Sequence, residues 1–115
     1  MKLSNDFTEV RADMLYESRL KDDFTERLFE AILLLRNKEE CYRFFEDLCT
    51  VAEIKAMGQR LEVAKMLDQE LTYTDIAEET GASTATISRV KRCLFFGADG
   101  YRLILDCLQK KHQDR

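Results

Sequence analysis

The sequence predicts an all-helical fold that contains a helix-turn-helix. Apolar residues recur at the three- and four-residue spacing of amphipathic helices, and no segment shows the alternation typical of a strand. Two short helical patterns flank Gly81, and the chain contains no proline. With 115 residues, of which 45% are hydrophobic, the chain fits one main domain whose thin core favours association with a second copy.

Residues 1–23 are predicted to form a weakly specified helix or arm, and residues 24–115 the main domain. The helical period of the first segment is carried by Leu3, Phe7, Val10 and Met14. No run reaches the roughly 20 apolar residues of a membrane span, and the N-terminus lacks the apolar centre of a secretion signal. We therefore expect a soluble, cytoplasmic protein with no membrane partner.

Three further helices are expected before the helix-turn-helix, each with one apolar face. The face of the second helix comprises Phe24, Leu28, Ala31, Ile32 and Leu35. The face of the third helix comprises Cys41, Phe44, Phe45 and Leu48. The fourth helix begins after Thr50, a good capping residue, and runs to about Gln69. Its inner face comprises Ile54, Met57, Leu61, Ala64 and Leu67.

The helix-turn-helix is predicted at about residues 73–96. Thr72 caps its first helix, and Ser83 and Gly97 mark the start and the end of its second helix. A final helix runs from about Asp99 to Lys111. The residues that we expect it to bury are Leu103, Ile104, Cys107 and Leu108.

The spacing inside this motif fits two helices that touch across a sharp turn. Ala77 is small enough for close helix approach, and Gly81 supplies the turn conformation. The apolar residues expected to lock the pair are Ile76, Ile87 and Val90. The same spacing also occurs in bundles that bind no nucleic acid, so the chemistry of the second helix must decide between the two.

The second helix of the motif has the chemistry of a DNA reader. Short side chains that fit a major groove lie near its N-terminus, namely Ser83, Thr84, Ala85, Thr86 and Ser88. Arg89, Lys91 and Arg92 follow, where they can reach phosphates. No acidic residue lies between positions 83 and 98, which favours a DNA-facing helix over an ordinary solvated one.

The charge distribution agrees with that interpretation despite a net charge of -4. Residues 1–71 hold 11 basic and 16 acidic side chains, whereas residues 72–115 hold 7 and 6. An acidic body with a local basic helix repels DNA everywhere except at that helix.

The residues that catalysis or metal binding needs are not grouped in the sequence. The four cysteines form no CxxC pair, and His112 is the only histidine. The carboxylates lie at spacings typical of solvated helix surfaces, and no glycine-rich phosphate loop follows a strand. We expect buried reduced thiols, no metal, no cofactor, no catalytic residues and no enzymatic activity.

Two segments resemble the Trp repressor family, and within it the YerC/YecD-like members, over about residues 48–110. The family's long central helix is similar to LCTVAEIKAMGQRLEVAKML, with its Ala-(Leu/Met)-Gly-x-Arg segment at residues 56–60. The family's DNA-reading helix-turn-helix is similar to LTYTDIAEETGASTATISRVKRCL. The resemblance implies a Trp repressor-like bundle, an intertwined homodimer that binds near-palindromic double-stranded DNA as a transcriptional repressor. The groove contacts that it implies are Thr74, Ser83, Thr84 and Thr86.

The same resemblance bears on a small-molecule effector. Arg60 and Arg89 occupy the positions of the two arginines that sandwich the tryptophan corepressor. The family's next glycine is Val90 here, and its ligand-binding serine is Cys93. Because valine adds bulk and a thiol is a weak acceptor, we expect tryptophan not to bind. The two arginines then pair with acids, bind another small ligand or contact phosphate.

A second hypothesis makes the chain a protein-interaction module. Its acidic N-terminal helices would dock a partner, and the helix-turn-helix would serve only as a scaffold. Changing Thr84 and Thr86 to Glu separates the hypotheses, because added carboxylates repel phosphates but leave a remote protein interface intact.

Overall fold

The computed structural model describes residues 16–113, and every regular element in that range is a helix. The helices are α1 (Asp23–Ile32), α2 (Lys38–Leu48), α3 (Val51–Asp68), α4 (Tyr73–Thr80), α5 (Thr84–Phe96) and α6 (Gly100–Gln113). The all-helical class is confirmed for these residues, and none of the six helices is long and apolar enough to cross a membrane. The helix expected around Leu3–Met14 lies outside the described residues. The chain divides after Phe44 into two compact units.

The first unit contains α1, whose start is fixed by a side-chain cap. Asp22 Oδ1 accepts a hydrogen bond from the Thr25 amide at 2.7 Å, and this bond lowers the pKa of the Asp22 carboxyl. Phe24, expected on the inner face, is 81% exposed. The rest of that face is half-buried, namely Leu28, Ala31, Ile32 and Leu35. Within residues 16–113 the apolar face of α1 is therefore incompletely covered.

The core of the second unit lies where α3, α4, α5 and α6 meet. Its buried side chains are Val63, Ala64, Met66, Leu67, Ile76, Ala82, Ile87, Val90, Leu94 and Leu105. The predicted lock of the helix-turn-helix is confirmed, since Ile76 and Ile87 are fully buried and Val90 is 1% exposed. Ala77, expected at the helix contact, packs against this core.

Helix α3 begins as expected, and its buried face matches the expected one at Ala64 and Leu67 only. Thr50 Oγ1 accepts from the Glu53 amide, and the Glu53 carboxylate accepts from the Thr50 amide, which lowers the pKa of Glu53. Met57 and Leu61 were expected inside and are exposed. The buried residues of α3 all lie in its C-terminal half and include Val63 and Met66. The apolar periodicity runs along the whole helix, whereas among the described residues only its C-terminal half holds buried side chains.

Helix α6 also buries a different residue from those expected. Leu105 is inside, whereas the four expected core residues of this helix are exposed: Leu103, Ile104, Cys107 and Leu108. The Arg102 guanidinium joins α6 to α3 through an ion pair with Asp68 at 2.5 Å, and it also pairs within α6 with Asp106 at 3.1 Å. Both carboxylates raise the pKa of Arg102 above its ordinary value.

The cysteines are free, but the expectation of burial is wrong for two of them. Cys93 and Cys107 are exposed, and Cys41 and Cys49 are half-buried. Cys93 is exposed although it lies three residues after Val90 and next to Leu94, which both belong to the core. A cysteine at the edge of a buried stripe is ambiguous from the sequence, because a small rotation of the helix moves it to the surface.

Candidate nucleic-acid interface

The turn between α4 and α5 is held by one glycine and by side chains on both sides. Gly81 has φ +74°, in the left-handed region that glycine adopts without strain. Thr80 Oγ1 donates to the Ile76 carbonyl at 2.7 Å and accepts from the Ala82 amide at 3.1 Å. Gln59 Nε2 of α3 donates to the Thr80 carbonyl at 3.1 Å. These bonds fix the direction in which α5 leaves the turn.

The first turn of α5 is closed by a pair of hydroxyl side chains. Ser83 Oγ accepts from the Thr86 amide and donates to Thr86 Oγ1, both at 3.1 Å. The Ser83 proton is therefore used inside the protein, and Ser83 can offer DNA only an acceptor while this cap is closed. Thr84 and Ala85 are exposed, and Thr84 makes no side-chain hydrogen bond with any other described residue. Thr84 is the least committed polar group at this end of α5.

All but one of the expected DNA contacts are exposed. Those that are exposed are Thr74, Ser83, Thr84, Ala85, Ser88, Lys91 and Arg92. Thr86 is half-buried. The opposite side of α5 is in the core through Ile87, Val90 and Leu94. Helix α5 therefore anchors one face and presents the other, as a reading helix requires.

The basic side chains of this surface keep their charges free of carboxylates. Arg89, Lys91 and Arg92 are exposed, and none of them takes part in an ion pair with another residue in the range 16–113. Elsewhere in the same range some basic residues pair with acids, as Arg36 and Arg43 do, and others do not. The positive potential of α5 is thus not cancelled locally.

Two contacts of this surface were not anticipated from the sequence. The Tyr73 hydroxyl lies 3.3 Å from Ser88 Oγ, in hydrogen-bond contact, and Lys91 Nζ lies 5.7 Å from the centre of the Tyr73 ring. Tyr73 is the first residue of α4 and is half-buried against the core. Local sequence patterns do not predict these contacts, because the contacts join two helices across a turn.

The two arginines assigned to an effector pocket are not paired within the chain. Arg60 is half-buried and Arg89 is exposed, and neither forms an ion pair or a side-chain hydrogen bond with another described residue. The structure thus gives no support to acid pairing within one chain. Val90, at the position of the family's glycine, is fixed in the core, and Cys93 is exposed. Among the described residues no group of His, Cys, Asp and Glu is arranged to hold a metal ion.

The family model described as Trp repressor protein matches residues 24–109. The chain belongs to the Trp repressor family. A relative from Bacillus subtilis (strain 168), the uncharacterized protein YerC, is 58% identical over 88 residues, which make up 76% of this chain and 85% of YerC. The resemblance to the Trp repressor family, which the sequence predicted from the central helix and the helix-turn-helix, is therefore confirmed.

Solved structures in the same family share the fold. A candidate Trp repressor from Staphylococcus aureus is 57% identical, with a TM-score of 0.76 over 79% of this chain and 91% of its own. A TrpR-like protein from Eubacterium eligens ATCC 27750 is 55% identical, with a TM-score of 0.78 over 81% of this chain and 96% of its own. The helical arrangement described above is thus that of TrpR-like proteins.

Proposed function

We propose that this chain is a sequence-specific DNA-binding transcriptional regulator, acting as a repressor, that reads the major groove with α5. The observation that carries the proposal is the outer surface of α5. Its short polar side chains precede three basic residues without carboxylate partners, while its inner face is anchored in the core. Membership of the Trp repressor family supports the same function.

The arrangement divides recognition between bases and backbone. Thr84, Ala85 and Ser88 are small enough to let the helix approach base edges, where hydroxyls exchange hydrogen bonds and methyl groups contact thymine. Lys91 and Arg92 supply the phosphate contacts that set orientation and make binding salt-dependent. The N-terminal amides of α5 add a further site for phosphate.

We also propose that the protein acts as a homodimer whose interface covers the apolar surface left open by the single chain. The exposed apolar side chains of the second unit include Met57, Leu61, Phe95, Phe96, Leu103, Ile104 and Leu108. Phe96 is 86% exposed at the end of α5, and Leu103 is 64% exposed on α6. Surfaces of this kind are typical of oligomer interfaces. A two-fold dimer would present two α5 helices to a near-palindromic site.

The test introduces a negative charge on the outer surface of α5. Thr84→Glu places a carboxylate where the groove should lie, whereas Gln109→Glu adds the same charge at an exposed position of α6. We expect Thr84→Glu to weaken DNA binding about tenfold or more, and Gln109→Glu to change it little. The measurement is fluorescence anisotropy with duplex DNA, and circular dichroism checks that both variants remain folded.

The alternative hypothesis, a protein-interaction module, predicts that Thr84→Glu does not weaken DNA binding selectively. If both variants bind DNA as the unchanged protein does, α5 does not read DNA. If neither the unchanged protein nor the variants bind duplex DNA, the helix-turn-helix is a scaffold and the interaction hypothesis takes precedence.

A further inference from the structure

Tyr73 connects the first helix of the motif to two polar residues of the second. Its hydroxyl contacts Ser88 Oγ at 3.3 Å, and its ring faces Lys91 Nζ at 5.7 Å from the ring centre. Ser88 and Lys91 are three residues apart and therefore neighbours on one side of α5. A single side chain of α4 thus touches both.

The contact of the Tyr73 ring with Lys91 affects the charge of Lys91 differently from an ion pair. A carboxylate would orient the ammonium group but would also neutralise it and compete with phosphate. An aromatic ring attracts the cation through its quadrupole and leaves the full charge in place. The ring also restricts a flexible side chain before DNA arrives, so that less conformational entropy is lost when Lys91 meets a phosphate.

The contact with Ser88 limits the orientations of an otherwise free hydroxyl. Ser88 is exposed, and Tyr73 supplies its side-chain partner. A hydroxyl has one donor and two acceptor positions, so a bond to Tyr73 leaves further capacity for a base edge or a phosphate. Tyr73 itself is held by its packing against the core, which makes it a fixed support.

We propose that Tyr73 is a positioning residue of the DNA interface, whose ring aims Lys91 at the phosphate backbone and whose hydroxyl orients Ser88. This inference rests on the proposed DNA-binding function. It assigns separate roles to the two parts of one side chain, so that they can be removed one at a time. Tyr73→Phe removes the hydroxyl and keeps the ring, whereas Tyr73→Leu removes both.

The experiment is a pair of double-mutant cycles in the full chain. Binding is measured by anisotropy on a duplex selected from genomic DNA by the unchanged protein and on a random duplex of equal length. The first cycle combines Tyr73→Leu with Lys91→Ala, and the second combines Tyr73→Phe with Ser88→Ala. Since the two substitutions of each cycle affect residues in contact, positioning appears as a coupling between them.

We expect Tyr73→Leu to weaken binding to the random duplex about 2- to 5-fold and to have no further effect on that duplex once Lys91 is replaced. On the selected duplex Tyr73→Leu should also cost the contribution of the hydroxyl, which remains to be lost after Lys91 is replaced. Tyr73→Phe should leave the random duplex unaffected, reduce the preference for the selected duplex by about 2- to 5-fold, and have no further effect once Ser88 is replaced. A purely structural role for Tyr73 would instead give equal losses in the presence and absence of Lys91 or Ser88.

Failure of this inference is distinguishable from failure of the proposed function. If the unchanged protein binds DNA but both cycles are additive, only the role of Tyr73 is refuted. If the unchanged protein binds neither duplex, DNA binding and the role of Tyr73 are refuted together. Should Tyr73→Leu fail to fold, the second cycle alone decides, because Tyr73→Phe keeps the packed ring.

Discussion

Individual side chains determine how α5 is presented to a ligand. Ser83 and Thr86 bond to each other and close the helix end, which leaves Thr84 free beside them. Gln59 reaches from α3 to the Thr80 carbonyl and holds the turn that precedes α5. The reading surface is thus supported by specific bonds as well as by the core beneath it.

The position of Val90 leads to a prediction about tryptophan. Val90 is 1% exposed and belongs to the core, so a packed, branched side chain stands at the site of the family's glycine. We expect isothermal titration of the protein with L-tryptophan to give no heat beyond dilution. Stoichiometric binding with a Kd of about micromolar strength would contradict this account of the pocket.

The sequence predicted those residues of the candidate site that depend on local spacing. Ile76, Ile87 and Val90 share the buried side because of their period, and the exposure of Thr84 and Ser88 follows from the same helix. The bond between Gln59 and Thr80 could not be predicted in this way. It spans 21 positions, and its formation depends on how two helices pack.

Among the helices, ends were easier to predict than buried faces. Thr50, Ser83 and Gly97 act locally, since a cap bonds only to the adjacent turn, and all three stand at the expected ends. On α3 the predicted burial of Ala64 and Leu67 is confirmed and that of Met57 and Leu61 is wrong, whereas none of the four residues predicted on α6 is buried. Periodicity does not say what covers an apolar stripe. Leu103, for instance, fits a helical stripe and is exposed in the single chain.

The junction between α5 and α6 gives a prediction for stability. A Cβ atom at Gly97 would lie 2.4 Å from the Cys93 carbonyl oxygen, a backbone atom of α5 that cannot swing away. We expect Gly97→Ala to lower the free energy of unfolding by about 1–3 kcal/mol, as forced overpacking does. Urea denaturation followed by circular dichroism measures this loss.

Gly100 provides the matched control on the other side of the same junction. A Cβ atom there would meet nothing within 4 Å, so Gly100→Ala should leave the midpoint of unfolding nearly unchanged. Equal effects of the two substitutions would show that the close approach at Gly97 does not limit the junction.

For the whole molecule, the exposed apolar side chains make assembly testable. Leu103→Glu places a charge on α6 at a side chain that is 64% exposed in the single chain. If Leu103 lies in the dimer interface, this change should weaken dimer association about tenfold or more. Binding to DNA that carries two half-sites should weaken as well. Sedimentation velocity over a range of concentrations measures the association.

Gln109→Glu serves again as the control, because it adds the same charge at an exposed polar position of α6. We expect that variant to sediment as the unchanged protein does. A monomer at all concentrations for the unchanged protein would contradict the proposed dimer and would leave the apolar surface to another partner.

The most direct test of DNA reading is selection of binding sites by the unchanged protein. Fragments of genomic DNA are retained at two salt concentrations, with and without tryptophan, and the retained fraction is sequenced. The account predicts enrichment of a near-palindromic site with half-sites about one DNA turn apart, weakened by salt and unaffected by tryptophan. Absence of any enriched sequence at either salt concentration, from a protein shown to be folded and dimeric, would contradict it.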